Sequence, residues 1–94
     1  MGKHENLKNL LHSGGLKAEP PDRQECEGLM RSAVDRLKDA QTTSLSFASR
    51  FDLAYNAAHA AALTALRLSG YRSDKRYLVF QCLVYTADAS KVQV

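Results

Sequence analysis

Residues 45 to 70 read LSFASRFDLAYNAAHAAALTALRLSG, and this stretch decides the fold. It is rich in alanine and leucine and contains no proline, which is typical of an α-helix. The glycine at position 70 is a common helix stop. We therefore predict one long helix from about Leu45 to Ser69. The polar residues Gln41 to Ser44 precede it and can supply its N-cap.

The long helix is apolar on two faces. At 100° per residue, one stripe is expected to make the core: Phe47, Phe51, Ala54, Tyr55, Ala58, Ala62, Ala65 and Leu66. A second set lies roughly opposite: Leu53, Ala57, Ala60, Ala61, Thr64 and Leu68. A helix that is apolar nearly all round is buried on all sides. Either the N-terminal helix or a second copy of the chain covers the second face, and we expect a twofold homodimer through this long third helix.

Two helices are predicted ahead of it. A short one contains the apolar positions Leu7 to Leu11 and ends at Gly14-Gly15. Pro20 and Pro21 then impose an extended connector, so residues 1 to 21 read as a helix plus a rigid link. The second helix, about Arg23 to Ala40, carries one apolar stripe and starts with a capping pair, Asp22 and Glu25.

A fourth helix is predicted after Gly70. Ser73 can cap it, and Asp74 complements its dipole. The apolar run from Tyr77 to Tyr85 is broken only by Gln81. Such a run also suits a buried strand, but a lone strand has nothing to pair with, so we favour a buried helix. Residues 87 to 94 read as a tail.

Composition sets the limits of these predictions. The 94 residues suffice for one small domain, spanning residues 1 to 94. Thirteen Ala and thirteen Leu against five Val and no Ile or Trp favour an all-α, up-and-down bundle of three main helices plus a short N-terminal one. Cys26 and Cys82 lack metal-site or redox spacing and read as small buried residues in a reducing compartment. No stretch is long enough for a membrane span, so we expect a cytoplasmic protein without a membrane partner.

The long helix carries one polar cluster. Asp52, Asn56 and His59 fall on one strip at steps of four and three, beside Tyr55. They predict a ligand or interface site, with His59 exchanging a proton near neutral pH. The alternative is a buried histidine held in one tautomer by its neighbours. A metal site would need partners from other helices, such as His12, and we expect neither a metal nor a cofactor.

The second candidate site is the basic turn RLSGYRSDKR, residues 67 to 76. Four cations against Asp74 give it a local charge of +3, equal to the formal charge of the whole chain. The candidate ligand-binding residues here are Arg67, Tyr71, Arg72, Lys75 and Arg76. Cations, the amides of a following helix and an aromatic ring suit a phosphate or an RNA backbone. The alternative is a solvated turn whose arginines pair with acidic residues elsewhere.

Two segments, RFDLAYNAAH at residues 50 to 59 and GYRSDKRYLVFQ at residues 70 to 81, carry a family resemblance. Together with LKAEPPD ahead of the second helix, they resemble bacterial proteins of the HEPN superfamily, over about residues 7 to 86. The resemblance implies a helical bundle that dimerises. It also implies membership among proteins that often partner small nucleotidyltransferases in toxin and antitoxin modules.

Several HEPN relatives cleave RNA without a metal, and the resemblance implies where that chemistry would lie. The family motif is an arginine followed after four to six residues by a histidine. Here Arg50 precedes His59 with eight residues between them, so the motif is absent. Relatives of this type also carry a further helix after the YLVFQ segment, and we expect a C-terminally short member. Three hypotheses follow: a non-catalytic module that binds RNA, a nucleotide or a nucleotidyltransferase; a metal-independent ribonuclease toxin using His59 with Arg50 or Arg72 of another subunit; or a structural remnant without a ligand.

Overall fold

The computed structural model describes residues 3 to 86, with side chains from 8 to 83. In chain order the elements are α1 (Lys3–His12), β1 (Lys17–Ala18), α2 (Arg23–Ala40), α3 (Phe47–Leu68), β2 (Tyr71–Arg72) and α4 (Arg76–Thr86). The structure is therefore mostly α-helical, as predicted, with two short strands that were not. The predicted tail at residues 87 to 94 lies outside the described residues. None of the described helices has the length and apolar character needed to cross a membrane.

Local side-chain chemistry sets the helix ends. The Asp22 carboxylate accepts a hydrogen bond from the Glu25 backbone N at 3.1 Å, so the predicted N-cap of α2 is confirmed. Helix α3 begins two residues later than predicted, because its N-cap is Ser46 instead of a residue in the polar break. Gly70, with φ of +92°, lies in the left-handed region and ends α3 where the sequence indicated.

The connector and the basic turn, expected as separate irregular segments, form a two-stranded antiparallel ribbon. Lys17 lies opposite Arg72, and Ala18 opposite Tyr71. Pro20 and Pro21 favour extended backbone at Glu19 and Pro20, directly after the paired residues Lys17 and Ala18. Beyond the ribbon, the Ser73 hydroxyl donates a hydrogen bond to the Gly15 carbonyl at 2.8 Å. This ribbon joins the segment after α1 to the segment after α3.

Helices α2 and α3 pack side by side in opposite directions. At one end, Arg50 Nε donates a hydrogen bond to the carbonyl of Ala40 at 2.8 Å. At the other end, Cys26 of α2 and Thr64 of α3 line the same open depression. Helix α4 packs on another side of α3, and the main core cluster forms there: Leu16, Ala62, Leu66, Val79 and Cys82. Both cysteines are free and buried, which confirms the burial predicted for them.

The two faces of α3, both expected to be buried, are each covered only in part. Ala57, Ala60 and Thr64 of the second set are buried, and the element that lies against them is α2. The N-terminal helix does not cover this set, because α1 packs on α4 instead, and Ala61 and Leu68 of the set remain exposed. Much of the stripe expected in the core lies exposed between α2 and α4, with Phe47 82% and Phe51 60% accessible. Of that stripe, Ala62 and Leu66 are buried as predicted.

The described chain is more extended than a compact domain of its length. Its radius of gyration is 14.6 Å, and its principal extents are 46 × 30 × 23 Å. A compact domain of this size has a radius of gyration of about 12 Å. The difference fits a flat packing of helices that leaves one long side of α3 open.

Candidate functional site

Arg67, predicted as a ligand-binding cation of the basic turn, is a core residue. Its side chain is 0% exposed. Nε donates to Glu25 Oε1 at 2.8 Å, and the two terminal nitrogens donate to the carbonyls of Glu19, Pro20 and Tyr71 at 2.8 to 3.2 Å. A buried guanidinium requires this degree of pairing. Arg67 therefore holds the connector against the end of α3 and offers no surface to a ligand, which corrects the prediction.

Arg72 is the second cation of the turn that is already paired. Its guanidinium donates to Glu19 Oε2 at 2.8 Å and to Glu25 Oε2 at 2.6 Å. The hydrogen bonds from Arg72 lower the pKa of Glu19, while those from Arg67 and then Arg72 lower the pKa of Glu25. The same bonds raise the pKa of Arg72. The alternative in which the arginines pair with acidic residues is thus correct for Arg67 and Arg72, although Arg67 is not solvated.

The remaining residues of the basic turn have different surroundings. Tyr71 is half-buried against the core cluster and pairs with Ala18 in the ribbon, so it does not present a free ring for stacking. Lys75 and Arg76 are exposed. The fully exposed cations of the basic turn are therefore those at the start of α4.

Arg76 of the basic turn lies beside the polar strip of α3 that Asp52, Asn56 and His59 form. The two candidate sites therefore meet at this point. Arg76 Nη1 donates to Asn56 Oδ1 at 3.0 Å, and Asn56 Nδ2 donates to the backbone carbonyl of Asp52 at 2.8 Å. The guanidinium also lies 5.7 Å from the centre of the Tyr55 ring. We call Asp52, Tyr55, Asn56, His59 and Arg76 the polar cluster. It combines a cation, an amide, a carboxylate and two rings on the edge between α3 and α4.

Phe80 of α4 forms the apolar side of the polar cluster. Its ring centre lies 5.5 Å from that of Tyr55 and 5.6 Å from that of His59, the latter in an edge-to-face arrangement. Burial lowers the pKa of His59, and the charge of Arg76 lowers it further. His59 is therefore mainly neutral at pH 7, with one ring nitrogen able to donate and the other to accept.

Arg50 does not join His59. Its Nε is bonded to the Ala40 carbonyl at the end of α2. The two positions are nine steps apart along the helix, which is about 13.5 Å along its axis. Within one chain, the candidate catalytic residues Arg50 and His59 are thus not brought together. Among the described residues no group of three His, Cys, Asp or Glu side chains is placed to hold a metal ion.

An apolar surface lies between α2 and α4, and it combines members of both apolar sets of α3 with part of the apolar stripe of α2. We define the open face by its exposed members on α3 and α2: Phe47, Phe51, Ala54, Ala58, Ala61 and Leu68, with Met30, Val34 and Leu37. A groove of about 330 Å³ lies between these two helices near Ala58 and Val34. A second, open depression of about 480 Å³ lies beyond it and is lined by Pro21, Arg23, Cys26, Glu27, Met30, Thr64 and Leu68. The stripe itself was visible in the sequence, but its exposure was not, because periodicity does not say which face a neighbour covers.

No protein-family model, curated protein or solved structure matches the chain.

Proposed function

We propose that the chain is a non-catalytic binding module of HEPN-like type, an up-and-down bundle that works as a homodimer joined through α3. The open face carries this proposal. Monomeric proteins rarely expose contiguous apolar patches larger than a few hundred Å², and larger ones mark interaction sites. Here two phenylalanines and four large aliphatic side chains are exposed on one side of a helix pair.

The exposed area is large enough to matter energetically. An aromatic side chain has roughly 150–250 Å² to bury, and a large aliphatic one has somewhat less. With the fractional exposures observed, the six large side chains of the open face leave about 600 Å² accessible. Removing such an area from water is the favourable contribution that has to exceed the cost of association.

A binding role is better supported than a catalytic one. The groups invoked for metal-independent RNA cleavage, Arg50 and His59, lie about two and a half helical turns apart, and Arg50 is engaged at the end of α2. Arg72, the other arginine considered, is bonded to two carboxylates. The ribonuclease hypothesis, in which the arginine comes from a second subunit, would therefore need that arginine to leave its present partners.

A second candidate function, contact with RNA or a nucleotide, is favoured by one observation. Arg76 and Asn56 are hydrogen-bonded to each other at an exposed edge beside Tyr55, with Lys75 next to them. Guanidinium, amide and aromatic groups are those that recognise a phosphate and a base. A nucleotidyltransferase remains the protein partner implied by the HEPN resemblance, in a toxin-antitoxin setting of a bacterial cytoplasm.

Sedimentation equilibrium between about 5 and 100 µM tests the homodimer. We expect a dimer for the parent protein and a shift to monomer for Phe51→Lys, because an ammonium cannot be buried unpaired in an apolar contact. Tyr77→Lys is the matched control, since Tyr77 is a similarly exposed aromatic residue on α4 outside the open face. Circular dichroism verifies that both variants keep the helical fold. A parent protein that stays monomeric at 100 µM would refute the homodimer.

Fluorescence anisotropy with a labelled single-stranded RNA at low salt tests the second candidate. Arg76→Gln should weaken binding. It should also make the slope of log affinity against log salt concentration shallower by about one. Arg31→Gln, an exposed arginine on α2, should leave binding nearly unchanged. Equal binding by both variants, or none by the parent protein, would exclude the polar cluster as an RNA contact.

A further inference from the structure

We propose that the polar cluster is a proton-operated switch, in which protonation of His59 releases the Arg76 side chain from Asn56 and Tyr55 into solvent. The switch operates in the free protein and does not depend on the homodimer. Its effect on RNA binding, by contrast, rests on the second candidate function above.

A charge on His59 arises beside the contact that holds Arg76. Asn56 and His59 are three residues apart on α3, and residues at this spacing have Cβ atoms about 5–6 Å from each other. Arg76 Nη1 lies 3.0 Å from Asn56 Oδ1. The Phe80 ring joins the two sides of the cluster, since its centre lies 5.5 Å from that of Tyr55 and 5.6 Å from that of His59. The imidazole and the guanidinium are therefore neighbours on one edge of α3.

No carboxylate neutralises this pair among the described residues. Asp52 joins the cluster through its backbone carbonyl, which accepts a hydrogen bond from Asn56 Nδ2, and its carboxylate takes part in none of the described salt bridges. Arg76 is bonded to a neutral amide and lies over a neutral ring. The other charged or titratable side chains described on α4 and on α1, which packs on α4, are Lys75, Lys8 and His12. A proton on His59 thus adds a second cation with no acid placed to offset it.

The direction of the switch follows from the surroundings of His59. Burial first, and the charge of Arg76 second, lower the pKa of His59 from 6.5. Coupling between two sites is reciprocal, so a cation that disfavours the protonated imidazole is disfavoured by it to the same extent. Above pH 6.5 His59 is neutral and Arg76 stays on Asn56. As pH falls through the folded pKa, His59 becomes charged and the contact between Arg76 and Asn56 weakens.

Arg76 is the group that can move. It is exposed at the first position of α4, whereas Leu78 and Val79 fix that helix in the core. His59 is half-buried near the middle of α3, with its ring edge-on to Phe80. Rotation of the arginine exchanges one hydrogen bond and one ring contact for water, which costs little at an exposed site. The backbone therefore stays in place while the guanidinium leaves.

Nuclear magnetic resonance between pH 7.5 and 5.0 tests the switch in the parent protein. We expect the signals of the Asn56 side-chain amide and of Arg76 Nε to shift with the same midpoint as the His59 imidazole. In acid the Arg76 signal should approach its position in Asn56→Ala, where the contact is absent at every pH. Most carboxylates stay ionised over this range, because their ordinary pKa values lie near 4. Constant Asn56 and Arg76 signals across the His59 titration would overturn the proposal.

His59→Gln removes the titrating group and keeps a polar side chain of similar length. Its Arg76 signal should remain at the neutral-pH position down to pH 5.0. His12→Gln changes an exposed histidine on α1, and as the matched control it should retain the transition of the parent protein. Circular dichroism verifies that both variants keep the helical fold. A transition that persists in His59→Gln would assign it to another group and overturn the switch.

The switch predicts stronger RNA binding in acid, because the polar cluster then carries a charged imidazole and a free guanidinium. Between pH 7.5 and 5.0 we expect the affinity of the parent protein for a labelled single-stranded RNA to rise by about fivefold or more, and that of His59→Gln by less than about twofold. An equal rise in both proteins would remove His59 from the effect. Absence of binding at either pH would refute the second candidate function alone, since the magnetic resonance transition decides the switch without RNA.

Discussion

The guanidinium of Arg67 is completely buried, and its Nε donates a 2.8 Å hydrogen bond to Glu25 Oε1. Glu25 stands at the third position of α2, where a capping box would turn its carboxylate back toward Asp22. In this structure the carboxylate is instead bonded to Arg67 and Arg72. One side chain thereby links the start of α2, the end of α3 and the ribbon.

Glu25→Gln should lower the free energy of unfolding by about 2 kcal/mol, because it removes the carboxylate bonded to Arg67 Nε and leaves the buried charge with the more distant carboxylate of Glu19, at 3.4 Å. Glutamine keeps the shape and one acceptor, so the loss stays below that of a complete deletion. Urea denaturation followed by circular dichroism measures the change. The control is Glu27→Gln, which removes an exposed pair with Arg23 and should cost less than about 0.5 kcal/mol. Equal losses for the two variants would contradict the linking role of Glu25.

Acid should weaken the fold through the same carboxylates. The pKa values of Glu19 and Glu25 lie below their ordinary value of 4.5 in the folded chain, because Arg72 and Arg67 donate hydrogen bonds to them. As pH falls below 4.5, the unfolded chain takes up protons before the folded one does. The stabilisation is therefore complete above pH 4.5 and is lost as pH falls through the folded pKa values. Urea midpoints between pH 7 and pH 3 should show this decline, and it should be shallower in Glu25→Gln.

His59 should titrate below its ordinary pKa of 6.5, first because it is partly buried and second because Arg76 is nearby. Between the folded pKa and 6.5 the unfolded chain binds the proton and the folded chain does not, so this contribution to stability is complete above pH 6.5 and declines below it. Proton NMR of the imidazole measures the midpoint. Arg76→Gln should raise the midpoint without restoring it fully, since burial is the larger cause, and Arg31→Gln should leave it unchanged. A midpoint at or above 6.5 in the parent protein would contradict the observed surroundings of His59.

Arg50→Gln should reduce stability and leave RNA intact. Its Nε holds the Ala40 carbonyl at the end of α2, and loss of a charge-assisted hydrogen bond there should cost about 1–2 kcal/mol. Lys38→Gln, in the same last turn, is the control and should cost less than half as much. Labelled RNA that is incubated with the parent protein or with Arg50→Gln should be degraded at the same slow background rate. Cleavage by the parent protein that disappears in the variant would instead support the ribonuclease hypothesis.

The helices could be predicted because their signals are local. Asp22 caps α2 through a backbone amide only three residues away, and Gly70 ends α3 through its own backbone conformation. The alanine and leucine pattern of residues 47 to 68 likewise acts within one helix. The apolar run of α4 was ambiguous between helix and strand in the sequence, and the structure shows a helix.

The sequence by itself determined that this chain is mainly helical and where its principal helices begin and end, to within about two residues. Only the tertiary structure decided which side of α3 is covered, that Arg67 is buried while Arg76 is exposed, and that Arg76 meets Asn56. Arg67 and Glu25 are 42 positions apart, and Arg76 and Asn56 are 20 apart. Helix periodicity fixes how residues are arranged around one axis, whereas burial depends on where the neighbouring axes lie, and that follows from packing among all the elements at once.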